Sequence, residues 1–421
     1  MSRFLIKSKF LFFTIFLIFY STFYLYLKHN GGLDWSVSEW LINYQGGFTR
    51  RGLGGEINIF LAKLFSISLR DAILFFQIFT HTTYLILLFI YLKDLKFEIL
   101  QIFALFSPIF LLYPIAELEA LGRKEIFIFL FFISIVFFAD KKFHPNVINS
   151  IIFIFFPIFC LIWEQIILFA PFFAVILINK NKLYLFSETL IKLTLIFLPS
   201  IFVIILIFAS PLSNEGHNVM CKYLELEFAE KCYGSAKLLI RNTIYFDTFY
   251  IHERTNFFHY FRYIMIFFIG FLPLHMCLNQ NKFTNRENFI TKNFKPLYLF
   301  FIMYSPILLL YAFGHDWGRW VNIQYSLSIL LYFYLIKNRI LSNNFNYNIF
   351  ISFLLKKKKL LILVFFIYAF FWNPKTLITG DIATNSLYKI VYNSSKYIFN
   401  YKGKRLFQDS PFIKFHKKFI E

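Results

Sequence analysis

The chain repeatedly runs apolar for most of a bilayer's thickness and then breaks into a short polar turn, and few folds are open to such a pattern. Apolar runs occupy residues 10–27, 73–92, 99–115, 126–139, 193–210, 262–278, 297–313, 321–336 and 360–372. A helix needs about 20 apolar residues to cross a hydrocarbon core of about 30 Å, and inside that core only a helix or a closed barrel satisfies its own backbone. Apolar residues make up 58% of the chain and charged residues 16%, against about 25% charge in a soluble domain. The expectation is an all-α polytopic membrane protein.

Residues 147–178 are too long for one crossing and short for two. Glu164 sits near their middle with Pro157 and Pro171 on either side, so two short segments turning at Glu164 are expected. With these the chain has roughly eleven spans. Arg3, Lys7 and Lys9 precede the first run, and no small-residue cleavage site follows it, which reads as a retained anchor with its basic end inside. The turns at 93–98 and 140–146 carry two lysines each and also fall inside. The organisation expected is a transmembrane domain over 1–372, with a first external loop at 28–72 and a large external loop at 211–261, followed by a basic tail at 373–421. A net charge of +20 would point to nucleic acid in a soluble protein. Here the lysines cluster in short inner turns and at Lys356–Lys359, where they orient the chain and meet anionic lipid, so nucleic acid is not an expected partner.

Against this background Asn30–Glu56, NGGLDWSVSEWLINYQGGFTRRGLGGE, is unusual. It holds seven of the fifteen glycines, the adjacent Arg50 and Arg51, and the acids Asp34, Glu39 and Glu56. Trp35, Trp40 and Leu41 alternate with polar residues, and Ile57, Phe60, Leu61 and Leu64 recur at helical spacing, so two short helices lying on the membrane interface are expected. Other turns assigned to the outer side share the mixture of acid and arginine: Glu117, Glu119, Arg123, Lys124 and Glu125; Glu164; and His315, Asp316, Trp317 and Arg319. Arginine outside runs against the positive-inside tendency. Any one such turn reads as a bend with solvated charges, but four of them suggest one shared site.

The residue types suggest its chemistry. Arg50, Arg51, Arg123, Lys124 and Arg319 suit a phosphate or pyrophosphate, which guanidinium matches two oxygens at a time. Asp34 or Glu56 could take the proton from an attacking hydroxyl. Glu119, Glu125, Glu164, His315, Asp316 and Trp317 are the supporting residues. Acid-rich loops could hold Mg²⁺ or Mn²⁺, although no ligand spacing specifies a metal. Cys160 and Cys277 fall inside apolar runs, whereas Cys221 and Cys232 share the 211–261 loop and could form a disulfide in an oxidising compartment. The segment from Tyr223 to Lys231 between them could be a short helix.

A first span, a long outer loop with surface helices and an acid, many further spans and charges confined to one face resemble the GT-C superfamily of glycosyltransferases. GGFTRRGLGGE, LGRKE and HDWGRW are similar to motifs in membrane proteins of bacterial polysaccharide clusters. The resemblance implies a sugar donor linked to polyprenyl phosphate or diphosphate, a glycan or lipid-linked acceptor, a location in a bacterial inner membrane with a cytoplasmic N-terminus, and a first-loop acid, Asp34 or Glu56, as catalytic base or metal ligand. An O-antigen type polymerase resembles the chain through the same features. A transporter or flippase is the competing class, expected to carry ionisable groups near the midplane.

Overall fold

A computed structural model describes residues 3–30, 34–141, 143–237, 239, 255–345, 347, 349–379 and 386–398. Among the described residues the elements are helical, with a single isolated bridge between Phe283 and Leu341. Among the described residues, seven helical segments are long and apolar enough to cross a membrane: Lys9–Asn30, Leu69–Leu92, Pro145–Ile162, Glu164–Asn181, Phe186–Ala209, Phe257–Gln280 and Pro296–Phe313. A 24-residue helix such as Leu69–Leu92 rises about 36 Å, enough for the hydrocarbon core with some tilt. Their outer faces are apolar and bare, as in Phe75 and Phe79 of Leu69–Leu92 and Leu195, Phe202 and Phe208 of Phe186–Ala209. Water would penalise that surface and lipid does not. The protein is an integral membrane protein.

The chain divides into two compact units. The first comprises Met1–Asp94, Leu121–Thr243 and Asn285–Phe294; the second comprises Leu95–Ala120, Ile244–Thr284 and Lys295–Glu421.

In the first unit Arg3–Asn30 packs along Leu69–Leu92, which in turn packs on Ile126–Asp140. The latter has 15 residues, about 22 Å, short of a full crossing on its own. Pro145–Ile162 lies against Phe186–Ala209. Over 147–178 the chain divides at Trp163, whose backbone is extended (φ −154°, ψ 101°), and resumes as a 3₁₀ turn over Glu164–Phe169 leading into Ala170–Asn181. Two segments of 18 residues result.

The first loop departs from the expected pair of interfacial helices. Trp35–Ser38 and Glu39–Leu41 are single turns, and Trp40 and Leu41 are buried, leaving Trp35 as the exposed indole of that stretch. The second expected helix is present as Leu53–Phe65, with Phe60, Leu64 and Phe65 outward. The expected helix at Tyr223–Lys231 is longer and earlier. It runs over Asn214–Phe228, starts where the Ser213 hydroxyl accepts the Gly216 N–H, and ends at a left-handed Ala229.

The second unit contains the clearest corrections to the span count. Residues 99–115 are not one crossing: Ile99–Leu105 is helical, 106–112 is irregular, and Tyr113–Ala116 is a last turn. Pro108 has no N–H and pushes Ser107 away from helical backbone angles. The buried Ile109 carbonyl accepts from Asn322 Nδ2 at 2.8 Å, the Phe110 carbonyl from the Tyr113 N–H (3.1 Å) and more distantly from Asn322 Nδ2 (3.4 Å), and Ser107 Oγ donates to the Gly270 carbonyl. Asn322 belongs to Trp317–Lys337, which matches the expected 321–336 run but is buried without interruption from Gly318 to Leu335. That helix carries Asn322, Gln324, Ser326 and Ser328, polar groups poorly suited to lipid, and Tyr325 donates from its hydroxyl to the Ala104 carbonyl. It is therefore the interior helix of its unit. The 360–372 run appears as Lys358–Phe370, 13 residues and about 20 Å.

The tail is not a surface appendage along its whole length: Asn373, Thr376, Ile378 and Lys389 are buried, the last on the helix Ser386–Ile398. Residues 380–385 and 399–421 lie outside the described residues. So do Arg241, Asp247, His252, Glu253 and Arg254 of the 211–261 loop.

Because Asn322 satisfies the buried Ile109 carbonyl at the irregular 106–112 stretch, Asn322→Leu should destabilise the protein by about 1–3 kcal/mol, the cost of a buried carbonyl left unpaired. A lower thermal unfolding midpoint in detergent micelles checks this, and an unchanged midpoint contradicts it.

Candidate functional site

In the first unit the polar turns assemble around Arg51. This residue takes a left-handed backbone conformation (φ 64°), which costs a non-glycine residue roughly 1–2 kcal/mol. Two contacts hold it there. Its guanidinium forks onto Glu164, with Nε donating at 3.1 and 2.9 Å and NH2 at 2.6 Å, and its carbonyl accepts from Lys124 Nζ at 2.7 Å. Glu164 is 113 residues away in sequence and Lys124 is 73 away. Arg50 adds a second positive charge beside Glu164.

Lys124 is fully buried. Its amine lies 5.7 Å from the centre of the Trp40 ring. A methyl group added to Gly54 would sit 3.2 Å from Nζ, so glycine leaves the amine its space. Burial pushes the Lys124 ammonium down to about 7, with Glu39 and Glu164 pulling it up and Arg51 adding to the fall. Lys124 is one of the cations expected to bind phosphate, and its amine donates to the carbonyl of Arg51.

Arg123, the next residue back, turns to the other side of the turn. Its NH1 donates to Glu39 Oε1 at 2.5 Å and to the Trp35 carbonyl at 3.3 Å, and both charged side chains are buried. Between Leu121 and Arg123 sits Gly122 with φ +80°, a conformation glycine adopts readily. The Gly122 carbonyl accepts from Trp40 Nε1 (2.7 Å) and Gln77 Nε2 (2.8 Å). Glu125 is buried in the same unit.

Asp34 caps the Trp35–Ser38 turn, accepting from Ser36 N at 2.8 Å and Ser36 Oγ at 2.5 Å, and pairs with Lys28 at 3.0 Å. Burial alone would raise its pKa, but the Lys28 charge and the bonds from Ser36 and Lys28 outweigh it, and the net shift is downward. Glu56 accepts from the Tyr44 backbone N–H (2.7 Å) and from Gln45 Nε2 (3.2 Å), which fastens the 44–45 turn to the start of Leu53–Phe65.

The remaining candidates fall in the second unit. Arg319 NH1 donates to Asp316 Oδ2 at 2.5 Å, and the Ile378 N–H donates to the His315 carbonyl at 2.8 Å. Trp317 packs edge-on against Tyr260, Tyr263 and Tyr311, with its Nε1 donating to the Gly314 carbonyl. The 373–378 segment crosses this turn: the Gly318 N–H donates to the Thr376 carbonyl, and the Tyr263 hydroxyl lies 2.6 and 2.8 Å from the carbonyls of Lys375 and Leu377. Glu117 is buried beside Lys389 Nζ (2.5 Å) and Lys375 Nζ (3.9 Å), while Glu119 is exposed. The AELEALGRKE turn thus contributes its first half to one unit and its second half to the other.

Sequence reasoning did not single out Lys28, Gln77, Arg70, Glu230, Lys375 or Lys389 for the site. Lys28 closes an apolar helix and pairs with Asp34 six residues on. Lys375 and Lys389 are 258 and 272 residues from Glu117 (375 − 117; 389 − 117), and no local pattern links them.

Among the described residues one group of three offers metal-ligand geometry, His217 with Cys221 and Cys232. The two sulfurs are joined in a disulfide, so they supply no thiolate.

Two measurements check this geometry. Lys124 is held below its unfolded pKa of about 10.4, so between pH 7 and 10 the unfolded chain binds the extra proton. Stability should therefore rise with pH across that window, by at most about 1.4 kcal/mol per pH unit, and Lys124→Met should remove the slope in detergent unfolding curves. Glu164→Gln should cost more than the ~1 kcal/mol of an exposed pair and approach the ~3–5 of a buried one, and a double-mutant cycle with Arg51→Met should show strong coupling. Additive effects would contradict the forked pair.

No family model, curated protein or solved structure matches the chain.

Proposed function

We propose that the protein is an integral-membrane glycosyltransferase of GT-C type. It moves a sugar from a polyprenyl-phosphate or polyprenyl-diphosphate donor to a glycan or lipid-linked acceptor on the extracytoplasmic face of a bacterial inner membrane, with the N-terminus cytoplasmic. The observation that carries this reading is the meeting of Arg51, Lys124 and Glu164, from three polar turns far apart in sequence, beside the ends of apolar helices. Structural ion pairs need only two partners. Here three arginines, Arg50, Arg51 and Arg123, and the buried amine of Lys124 gather with Glu39 and Glu164 next to a carboxylate-bearing loop.

In this reading Arg50 and Arg51 hold the donor phosphate through guanidinium N–H pairs. Glu164 and Lys124 fix the pose of Arg51, one through its side chain and one through its carbonyl. In this reading Asp34 is the base, with its carboxylate partly open at 29% exposure and ionised beside Lys28. Glu56 accepts from the Tyr44 and Gln45 nitrogens and holds the 44–45 turn. The acceptor hydroxyl gives its proton to Asp34 and attacks the anomeric carbon. The glycosidic bond forms as the carbon–oxygen bond to phosphate breaks, and the lipid phosphate leaves with that electron pair.

The test supplies membranes containing the protein with a panel of polyprenyl-phosphate hexoses labelled in the sugar. Wild type should pass label to a lipid-linked or glycan fraction. Asp34→Asn, which retains a capping side chain, should reduce transfer by about 10²-fold or more with unchanged protein in the membrane. Full transfer by Asp34→Asn, or no transfer from any donor alongside movement of lipid-linked glycan across the membrane, overturns the reading in favour of transport.

A further inference from the structure

The Cys221–Cys232 disulfide belongs to a segment that grips the first loop at several independent points. The helix Asn214–Phe228 approaches the 44–52 turn so closely that a side-chain carbon on Gly46 would collide with the Gly216 carbonyl, and one on Gly216 would collide with the Gly46 carbonyl. The Ser235 N–H donates to Ser38 Oγ at 3.0 Å, and Gly234 lies against Ser38 and Trp35. Lys63 of Leu53–Phe65 lies 5.5 Å from the centre of the Tyr223 ring. Beyond the helix, Glu230 is buried and forks onto Arg70, with Nε at 2.7 Å and NH2 at 2.9 Å, while Arg70 also reaches the His29 carbonyl (3.3 Å).

The disulfide closes this grip. Glu230 lies past the left-handed Ala229, where the helix has ended, and two residues before Cys232. The Cys232 bond to Cys221 on the helix ties that reversal back onto its own helix and holds Glu230 facing Arg70. His217, one turn earlier, places its Nε2 3.0 Å from the Ala236 carbonyl. The two flanks gripped, 34–41 and 44–52, carry Asp34, Glu39 and Arg51.

We propose that the Cys221–Cys232 disulfide is the tie of a clamp that holds the first loop in the conformation bearing Asp34, Glu39 and Arg51, so that the Arg51–Lys124–Glu164 cluster is completed on the face of the membrane where thiols are oxidised. A backbone contact between Gly46 and Gly216 requires both segments to lie on one side of the bilayer. Disulfides persist in oxidising compartments and are rare in the reducing cytosol. The disulfide therefore fixes the side of the cluster without any appeal to the lysine distribution. The inference stands whatever group the cluster transfers or binds.

Two measurements on the full-length protein test it. In the first, intact cells are denatured in iodoacetamide, then reduced and treated with N-ethylmaleimide, and each cysteine is read by mass spectrometry. Cys160 and Cys277, which are free thiols, should carry the first label, and Cys221 and Cys232 the second. The first label on Cys221 and Cys232 overturns the proposal. In the second, amide hydrogen exchange is compared for purified folded protein before and after dithiothreitol, with Cys221→Ser as a parallel sample. Exchange over residues 34–51 should rise at least tenfold on reduction and in the variant. Unchanged exchange there after verified reduction shows that the bond is no tie for the first loop and also overturns the proposal. Neither measurement reads sugar transfer, so a failure of the glycosyltransferase reading would leave both results interpretable.

Discussion

A charge held at the end of an apolar helix must find a partner, because the environment that surrounds it solvates ions poorly. The Arg51–Glu164 fork meets that requirement in the first unit, and much of the first loop is arranged to make it. For Arg51 to reach Glu164 its backbone adopts a left-handed conformation, and the Lys124 amine on its carbonyl supports that unfavourable state. For Lys124 to reach the carbonyl it must be buried, which drives it toward neutrality and requires a residue without a side chain at position 54. Trp40 then covers the amine and anchors to the Gly122 carbonyl. The pair, the lysine, the glycine and the indole form one dependent set.

The glycines of the first loop gain a different meaning from this arrangement. A glycine-rich stretch beside two arginines suggests a cradle of backbone N–H groups around a ligand. Instead Gly46 admits the Gly216 backbone, Gly52 faces the Tyr44 ring, Gly54 clears the Lys124 amine and Gly55 lies on the Ile42 carbonyl. They are points of close packing between short elements, and they explain how a loop with little regular structure is held without a large apolar core of its own. Gly31, Gly32 and Leu33 lie outside the described residues.

Much of the fold was legible because lipid imposes a coarse code. Long apolar runs became helices, the division at residue 163 followed from Glu164 between two prolines, and the first loop stood out by its composition. What sequence misjudged was the difference between an apolar run that faces lipid and one that faces protein. The 321–336 run is a helix, Trp317–Lys337, that faces protein rather than lipid, and residues 99–115 read as one span but are opened by Pro108 and completed by Asn322, more than two hundred residues away. Trp40 illustrates the same ambiguity, since an indole suits an interface and a core equally well until its neighbours are known. The site residues were found as types in turns. Their pairing was not, because nothing local links Arg123 to Glu39 or Lys389 to Glu117.

The account rests on turns far apart in sequence meeting in the first unit, and cross-linking reads that directly. Arg51→Cys and Glu164→Cys are introduced together, in membranes rather than detergent, and treated with a short bifunctional thiol reagent whose products are mapped by mass spectrometry. The account predicts an efficient 51–164 cross-link that is absent when either cysteine is omitted. Efficient single labelling of both positions with no link between them would contradict it.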